Sequence, residues 1–122
     1  MPVFGTTHYT YDITAGLPAG HWAEQTQTPD GKTTRRVYDK AGRLSEVIDN
    51  GTVTATYTYY ANGNQQRVTY PNSTNSLNNI FTEFTYYADN SLHTLKSGRG
   101  TQTLEAYNYL YDANGNLISP DE

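Results

Sequence analysis

The sequence contains no cysteine, and its large apolar residues are few. Without cysteine, the chain has no disulfide, no thiol nucleophile and no cysteine-based metal site. Leu, Ile, Val and Phe together account for 20 of the 122 residues, a fraction low enough to be typical of disordered proteins. The formal net charge is only −4, however, so the high charge that usually accompanies disorder is also missing.

Three further absences narrow the class of protein. The sequence has no run of about 18 apolar residues, so we expect no segment that spans a membrane. Met1 to Gly5 have neither the basic nor the apolar region of a signal peptide, and we expect none in this chain. The 8 basic residues are outnumbered by 12 acidic ones, which argues against a nucleic-acid partner, because such partners need a clustered basic surface.

Tyrosine, threonine, asparagine and glycine are abundant instead. The chain has 12 Tyr and 19 Thr, which favour strands, and 11 Asn and 10 Gly, which favour turns. The tyrosine rings supply apolar area that the few aliphatic residues do not. The composition therefore indicates a β-protein whose large side chains carry polar tips.

One short pattern recurs along the chain: an aromatic residue, any residue, Tyr, Asp, two residues, Gly, any residue and Leu. The Asp position of the five copies falls at residues 12, 39, 60, 87 and 112, at intervals of 21 to 27 residues. Tyr replaces Asp at residues 60 and 87, Asn90 replaces the Gly of the fourth copy, and the first copy has one extra residue before Gly16. Such a period is typical of a repeat protein.

The pattern predicts a β-hairpin in each copy. Tyr-x-Tyr places two rings on one face of a strand, because side chains alternate between the faces. Asp followed three residues later by Gly suits a tight turn, in which the carboxylate accepts main-chain hydrogen bonds and Gly tolerates positive φ. Asn tolerates the same conformation. The residues that we expect to form these turns are Asp12, Asp39, Gly42, Gly63, Asp112 and Gly115.

A second set of turn sequences lies between the copies, at residues 29–31, 49–51, 71–73 and 97–100, where Gly98, Arg99 and Gly100 are expected to form a hairpin turn. Thr52 to Tyr59 alternate strictly between two faces, which predicts a strand. No window has the apolar spacing of a helix. We therefore expect an all-β fold, an antiparallel meander of hairpins with about ten strands, in which Pro71 to Asn79 form a longer loop.

These repeats resemble those of the YD-repeat (Rhs) family, whose units read Tyr-Asp-x-x-Gly-Arg-Leu and Tyr-Asp-x-Asn-Gly-Asn. Tyr38 to Leu44 match the first form, and Tyr111 to Leu117 match the second. The resemblance covers about residues 6–119. We therefore expect a single array of about five repeats across residues 1–122, with no separate domain.

The resemblance implies a structural role. Members of the family include bacterial polymorphic toxins, insecticidal toxin-complex subunits, wall-associated proteins and teneurins, and their repeats form a long sheet that spirals into a hollow shell. In the toxins that shell holds a C-terminal toxic domain. The family's Asp-Pro-x-Gly segment is absent here, since Pro120 precedes Asp121. The resemblance therefore implies a curled, β-spiral piece of such a shell, or a small stand-alone relative, from a secreted or cell-surface bacterial protein.

No arrangement of residues predicts catalysis. His8, His21 and His93 are scattered without a serine or acidic motif around them, and each is expected to be a solvated strand or loop residue. The series Asp-x-Asn-x-Asn from Asp112 begins like a calcium loop, but Gly115 stands at its fourth position, whereas a calcium loop has Gly at the sixth. We expect no enzyme, no metal site and no cofactor.

Two other functions remain open. Trp22 lies outside the repeat pattern and is the candidate for a ligand contact, so that it and the tyrosine rows would form an adhesion surface for carbohydrate or protein. Alternatively, a meander with two free edges can add strands from neighbouring copies and act as a self-assembling filament subunit. The expected partners are flanking repeats, an enclosed polypeptide or further copies of the chain.

Overall fold

The computed structural model describes residues 5–72 and 74–121, and nearly all regular structure in them is β-strand. The one other regular element of this part of the chain is a three-residue 3-10 helix, Ser76–Asn78, in the loop that was predicted from Pro71 to Asn79. The predicted all-β fold with about ten strands is confirmed. The strands are β1 His8–Ile13, β2 Trp22–Gln27, β3 Thr33–Tyr38, β4 Leu44–Asp49, β5 Thr52–Tyr59, β6 Gln65–Tyr70, β7 Ile80–Tyr86, β8 Leu92–Arg99, β9 Gln102–Tyr111 and β10 Leu117–Asp121.

The strands are hydrogen-bonded in the order in which they occur in the sequence, from β1 to β10. Neighbouring strands run antiparallel, as short connections require. This is the predicted meander. Among the described residues, β1 and β10 each have one neighbouring strand, so the strand order is open. The curled, spiral form that the resemblance implied is not confirmed.

The chain divides into two compact units, residues 1–56 and residues 57–122. In the first, the buried apolar side chains of the described residues are Ala23, Val37 and Ala55. In the second, they are Val68 and Phe81. Each unit thus has a thin core, and contacts between neighbouring strands carry much of the stability.

The predicted alternation along the strands is observed. β5 begins and ends at the residues predicted for it, Thr52 and Tyr59. In β9, Tyr107, Tyr109 and Tyr111 are half-buried, whereas the residues between them are exposed. The tyrosines therefore share one face of the strand, as the period of two requires.

Asp12 does not lie in a turn, and the prediction for it was wrong. It lies inside β1 with a φ of 57°, where the pairing with β2 shifts between Thr10 and Ile13. The turn follows later, where the N–H of Leu17 donates to the carbonyl of Thr14 over 3.3 Å. The extra residue of the first copy is the physical reason, because the strand absorbs it as a bulge before the chain reverses.

The predicted turn at Gly98, Arg99 and Gly100 is displaced along the chain. β8 continues to Arg99, and the turn to β9 consists of Gly100 and Thr101. Gly98 lies opposite Phe81, and a Cβ atom at Gly98 would clash with the main-chain oxygen of Gln102 and stand 2.7 Å from the ring atom Cζ of Phe81. Gly98 is therefore required for packing and not for a turn.

Two expectations fall on residues that the structure does not describe. The first concerns the N-terminus, where Met1 to Phe4 lie outside the described residues. The second is the predicted turn at residues 71–73, of which Ser73 lies outside them.

Candidate functional site

The turn that joins β3 to β4 shows the geometry of the repeat. The N–H of Gly42 donates to the carbonyl of Asp39 over 2.8 Å, and the N–H of Asp39 donates to the carbonyl of Arg43 over 2.9 Å. These two bonds close a three-residue loop that needs a left-handed residue before its end. Gly42 provides it with a φ of 83°. We number this turn from Asp39 as position 1 to Arg43 as position 5.

Four other segments are closed by the same two hydrogen bonds, and we call all five repeat turns. Position 4 has positive φ throughout, and Asn90 takes the conformation with a φ of 73°, as predicted for an Asn that replaces Gly. The corresponding values are 94° at Gly63 and 83° at Gly115. The other four repeat turns are residues 28–32, 60–64, 87–91 and 112–116.

Asp at position 1 stabilises its own turn. In one turn, Oδ1 of Asp39 accepts from the N–H groups of Ala41 and Arg43 over 2.9 and 3.0 Å, and Oδ2 accepts from Nε of Arg43 over 2.9 Å. In another, Oδ1 of Asp112 accepts from the N–H groups of Asn114 and Asn116, each over 2.9 Å. The carboxylate thus satisfies the N–H groups of positions 3 and 5.

These contacts change the acidity of both carboxyl groups. Burial opposes ionisation of Asp39, but the N–H and guanidinium of Arg43 and the N–H of Ala41 outweigh it and lower the pKa below its ordinary value. The pKa of Asp112 is lowered chiefly by the N–H of Asn116 and also by that of Asn114. Both groups are therefore held in the ionised form that the turn requires.

Where position 1 is not Asp, a side chain at position 3 replaces it. Oδ1 of Asn62 accepts from the N–H of Asn64 over 3.0 Å, and Oδ1 of Asp89 accepts from the N–H of Ser91 over 3.0 Å. In the turn at residues 28–32, Asp30 accepts from the N–H of Lys32 over 3.3 Å. The loss of Asp at residues 60 and 87 is thus compensated within the same turn.

At three of the repeat turns, the strand that leaves the turn begins at position 6 and bulges at once. Leu44 pairs with Tyr38, Leu92 with Tyr86 and Leu117 with Tyr111. In each case the pairing then skips position 7. The three hairpins therefore share one register, which makes their position 6 residues equivalent.

In the second unit, a tyrosine hydroxyl links the repeat turn at residues 60–64 to the one at 87–91, and another links 87–91 to 112–116. The hydroxyl of Tyr86 donates to the carbonyl of Gln65 over 2.8 Å, and that of Tyr111 donates to the carbonyl of Leu92 over 2.8 Å. Each donor immediately precedes a repeat turn, and each acceptor is position 6 of the previous one. We call this hydrogen bond a tyrosine bridge.

Tyrosines at position 1 add a second link, which runs in the opposite direction, from one hairpin to the next along the chain. The hydroxyl of Tyr60 donates to the carbonyl of Phe84 over 2.6 Å, and that of Tyr87 donates to the carbonyl of Tyr109 over 2.7 Å. The rings of the two linked turns meet edge to face, with centroids 6.1 Å apart for Tyr60 and Tyr86. Tyr at position 1 therefore does not cap its own turn as Asp does, but forms a hydrogen bond to the next hairpin.

Trp22, the predicted ligand contact, packs within the first unit. Its ring stacks on Tyr38 with centroids 4.4 Å apart, and the Tyr38 hydroxyl donates to Oε1 of Glu24 over 3.1 Å. Burial, assisted by this carboxylate, raises the pKa of Tyr38 above its ordinary value. One face of the indole is thus already covered, and a ligand role for Trp22 stays a prediction.

Two grooves lie between successive repeat turns of the second unit. One has a volume of about 480 Å³ and is lined by Tyr60, Asn62, Tyr86, Tyr87 and Asn90 together with neighbouring small residues. The other has a volume of about 810 Å³ and runs from Tyr87 and Asp89 to Tyr111 and Asp112. Both combine ring faces with amide or carboxylate oxygens.

Within residues 5–72 and 74–121, no group of three or more His, Asp or Glu side chains stands close enough to hold a metal ion. In the predicted calcium-like series, the oxygens of Asp112 accept hydrogen bonds from Asn116. His93 stacks on Tyr87 with centroids 4.2 Å apart. The described chain also has no helix that is long and apolar enough to span a membrane.

Sequence reasoning missed the tyrosine bridges and the caps at position 3. It treated the tyrosines as one packing row, although four of them make cross-turn bonds: Tyr60 and Tyr87 at position 1, and Tyr86 and Tyr111 just before it. A signal was present: Tyr occupies position 1 only in the two turns that have Asn62 or Asp89 two residues later. The turn at residues 28–32 was assigned to the second set, yet it has the hydrogen bonds of the first.

The fold and the turns define a β-repeat protein, in which equivalent hairpins are joined by equivalent contacts. Comparison with known families agrees with this class. Residues 38–74 match the family model named RHS repeat, and they contain two of the repeat turns. This segment therefore carries an RHS repeat, which supports the resemblance to the YD-repeat (Rhs) family that the motifs indicated. No curated protein was found to be similar enough to count as a relative.

Proposed function

We propose that this chain is a structural segment that encloses or presents another polypeptide in a secreted or cell-surface bacterial protein. Flanking repeats and the enclosed polypeptide are its partners in that role. The observation that carries the proposal is the tyrosine bridge, because it fixes one hairpin to the next through the main chain.

A main-chain acceptor makes the bridge independent of the side chain at position 6. Gln65 and Leu92 differ in polarity, yet their carbonyls accept the same bond over the same 2.8 Å. Hairpins of varied sequence can therefore be added in series without loss of the contact. Such a device suits an extended wall built from repeats.

The open faces of the strands supply the second argument. In the second unit, Val68 and Phe81 are buried, whereas large apolar side chains remain exposed, among them Leu104 at 56% and Leu110 at 49%. A sheet normally covers an apolar face with a second layer. A polypeptide held against the sheet would supply that layer.

Protection of a fused segment from a protease tests the proposal. We would append an unfolded, apolar reporter segment after Glu122 and digest it with thermolysin. We expect cleavage of the reporter to be slowed about tenfold relative to the free reporter, because a bound segment is cut only when it is released. Cleavage at the rate of the free reporter would contradict the proposal.

A double substitution of exposed side chains provides the matched control. Leu104→Ser with Leu110→Ser removes apolar surface from β9 without touching a repeat turn. We expect this variant to fold and to lose most of the protection. Protection that is unchanged in the variant would show that the sheet surface does not hold the reporter.

The grooves favour one alternative, a carbohydrate-binding module. Tyr60, Tyr87 and Tyr111 line grooves that also contain Asn62 or Asp112, and this mixture suits stacking on sugar rings with hydrogen bonds to hydroxyls. A glycan array separates the two functions. Specific binding that is lost in Asn62→Ala would favour the carbohydrate-binding module over the enclosing segment.

A further inference from the structure

The last repeat turn of the described chain presents an acceptor equivalent to those of the tyrosine bridges. Leu117 occupies position 6 of the turn at residues 112–116, in the register that Leu92 has in its own hairpin. The carbonyl of Asn116 faces the turn, where it accepts from the N–H of Asp112. Because main-chain groups alternate along a strand, the carbonyl of Leu117 faces away from β9.

The outermost strand at the other end carries the matching donor. Tyr11 precedes Asp12 as Tyr111 precedes Asp112, and its side chain is 64% exposed. Within the described residues, the hydroxyl of Tyr11 has no hydrogen-bond partner. Tyr9, two residues earlier, is 62% exposed. β1 therefore presents a Tyr-x-Tyr strand like those that deliver a bridge elsewhere in the chain, and here a bulge at Asp12 follows the second Tyr in place of a repeat turn.

We infer that the chain associates head to tail with further copies of itself, with β1 of one copy added to β10 of another through a tyrosine bridge from Tyr11 to the carbonyl of Leu117. This association does not depend on what the sheet encloses. A second copy fits because it carries both halves of the contact, the donor on one edge strand and the acceptor on the other.

The direction of the strands agrees with this pairing. Strands alternate in direction along the meander, so β1 added beside β10 is antiparallel to it and continues the series. The end of β1, where Tyr11 lies, then meets the beginning of β10, where Leu117 lies. The edge at β10 also exposes apolar area, since Leu117 is 51% and Ile118 63% exposed.

Such a contact is heterologous, because it joins two different surfaces of the same chain. It leaves a free β1 at one end and a free β10 at the other, so further copies can add unless the series closes into a ring. Main-chain pairing along an exposed edge is a common source of such assemblies. The expected products are dimers and longer oligomers whose size rises with concentration.

Disulfide trapping tests which edges meet. Because the natural sequence has no cysteine, only the introduced thiols can form a disulfide. Thr94 of β8 pairs with Asn108 of β9, so the same register extended by two residues places Leu92 opposite Leu110. In the contact between copies, Leu117 of β10 takes the place of Leu92, and Thr10 of β1 takes the place of Leu110. We would mix the single variants Thr10→Cys and Leu117→Cys under oxidised glutathione and identify the products by mass.

The inference predicts a mixed disulfide between the two variants and little product from either variant alone. Cross-links within Leu117→Cys or within Thr10→Cys would show that like edges meet and would overturn the head-to-tail contact. No cross-link in the mixture would overturn the association itself.

Sedimentation velocity with conservative variants tests the tyrosine bridge. Tyr11→Phe removes the hydroxyl and keeps the ring, and we expect it to weaken association about fivefold, the value of one neutral hydrogen bond. Tyr9→Phe is the matched control on the same strand and should associate like the wild type. Equal association of all three proteins would overturn the role of Tyr11, and a wild type that stays monomeric at its highest soluble concentration would overturn the inference.

Discussion

The hydroxyl of Tyr111 donates to the main-chain carbonyl of Leu92, 19 residues earlier, over 2.8 Å. The bond links the end of β9 to the beginning of β8, just outside the turn that precedes it. Tyr86 makes the same contact with Gln65. Each hairpin in this part of the chain is therefore attached to its predecessor at a fixed point, in addition to the strand pairing.

Removing one bridge hydroxyl should destabilise the second unit. Tyr86→Phe and Tyr111→Phe each keep the ring but leave a half-buried carbonyl without its donor. We expect each to lower the free energy of unfolding by about 1 kcal/mol. Urea denaturation followed by circular dichroism measures the change, through a shift of the midpoint at constant slope.

Tyr70→Phe is the control for the loss of a hydroxyl. Tyr70 is 49% exposed in β6, in the same unit, and its hydroxyl has no partner among the described residues. We expect its midpoint to stay within experimental error of the wild type. If Tyr86→Phe and Tyr111→Phe behave like Tyr70→Phe, the bridges do not contribute to stability.

The turns were predictable from the sequence because their requirements are local. Asp39 and Gly42 stand three residues apart, and both roles, acceptor and left-handed residue, are satisfied inside one turn. The substitution of Asn90 for Gly was predictable for the same reason. Asp12 was not, since whether an extra residue enters the turn or the strand depends on the pairing of β1 with β2.

The bridges depend on residues that are far apart in the sequence. Tyr111 reaches Leu92 only because two consecutive hairpins have the same register and the same bulge. A pattern of tyrosines indicates a shared face, but it does not show which carbonyl lies under each hydroxyl. Gly98 was misassigned for a similar reason, because its neighbour Phe81 is 17 residues away.

The lowered pKa values of the capping carboxyl groups predict a loss of stability in acid. Folding favours the ionised form of Asp39 and Asp112, so their contribution is fully present above the pKa of an unfolded Asp, about 3.9. It is lost as the pH falls through the lower, folded pKa. We therefore expect the free energy of unfolding to fall as the pH decreases below about 4.

Asp39→Asn tests the origin of this acid sensitivity. The amide oxygen can still accept from the N–H of Ala41, but the charge that pairs with Arg43 is gone. We expect the variant to be less stable than the wild type at pH 7 and to lose less stability between pH 5 and pH 2, as measured by urea denaturation at each pH. An identical pH dependence of the two proteins would contradict the assignment.

Gly98→Ala should destabilise the second unit by overpacking. The added Cβ would clash with the main-chain oxygen of Gln102 and would stand 2.7 Å from Cζ of Phe81, one of the two buried apolar side chains among the described residues of that unit. We expect a loss of about 1–3 kcal/mol in the free energy of unfolding, the usual cost of an extra carbon in a filled core. Lys96→Ala, at an exposed position of the same strand, is the control and should change little. A melting temperature that is unchanged by Gly98→Ala would show that β7 and β8 can separate without cost.

Substitutions at position 4 isolate the effect of positive φ from that of packing. Gly42 and Gly115 both have a φ of 83°, and a Cβ atom at either would meet no atom within 4 Å. Gly42→Val and Gly115→Val therefore introduce backbone strain without a clash of the added Cβ, and we expect each to cost about 1–3 kcal/mol in thermal or urea unfolding. Asn90→Gly relieves a φ of 73° in an equivalent turn, but it also removes the oxygen that accepts hydrogen bonds from Nδ2 of Asn62 and Asn64. The greater freedom of Gly in the unfolded chain also opposes the gain, so we expect no stabilisation by this change. If both valine variants were as stable as the wild type, the left-handed residue would not be a requirement of the repeat turn.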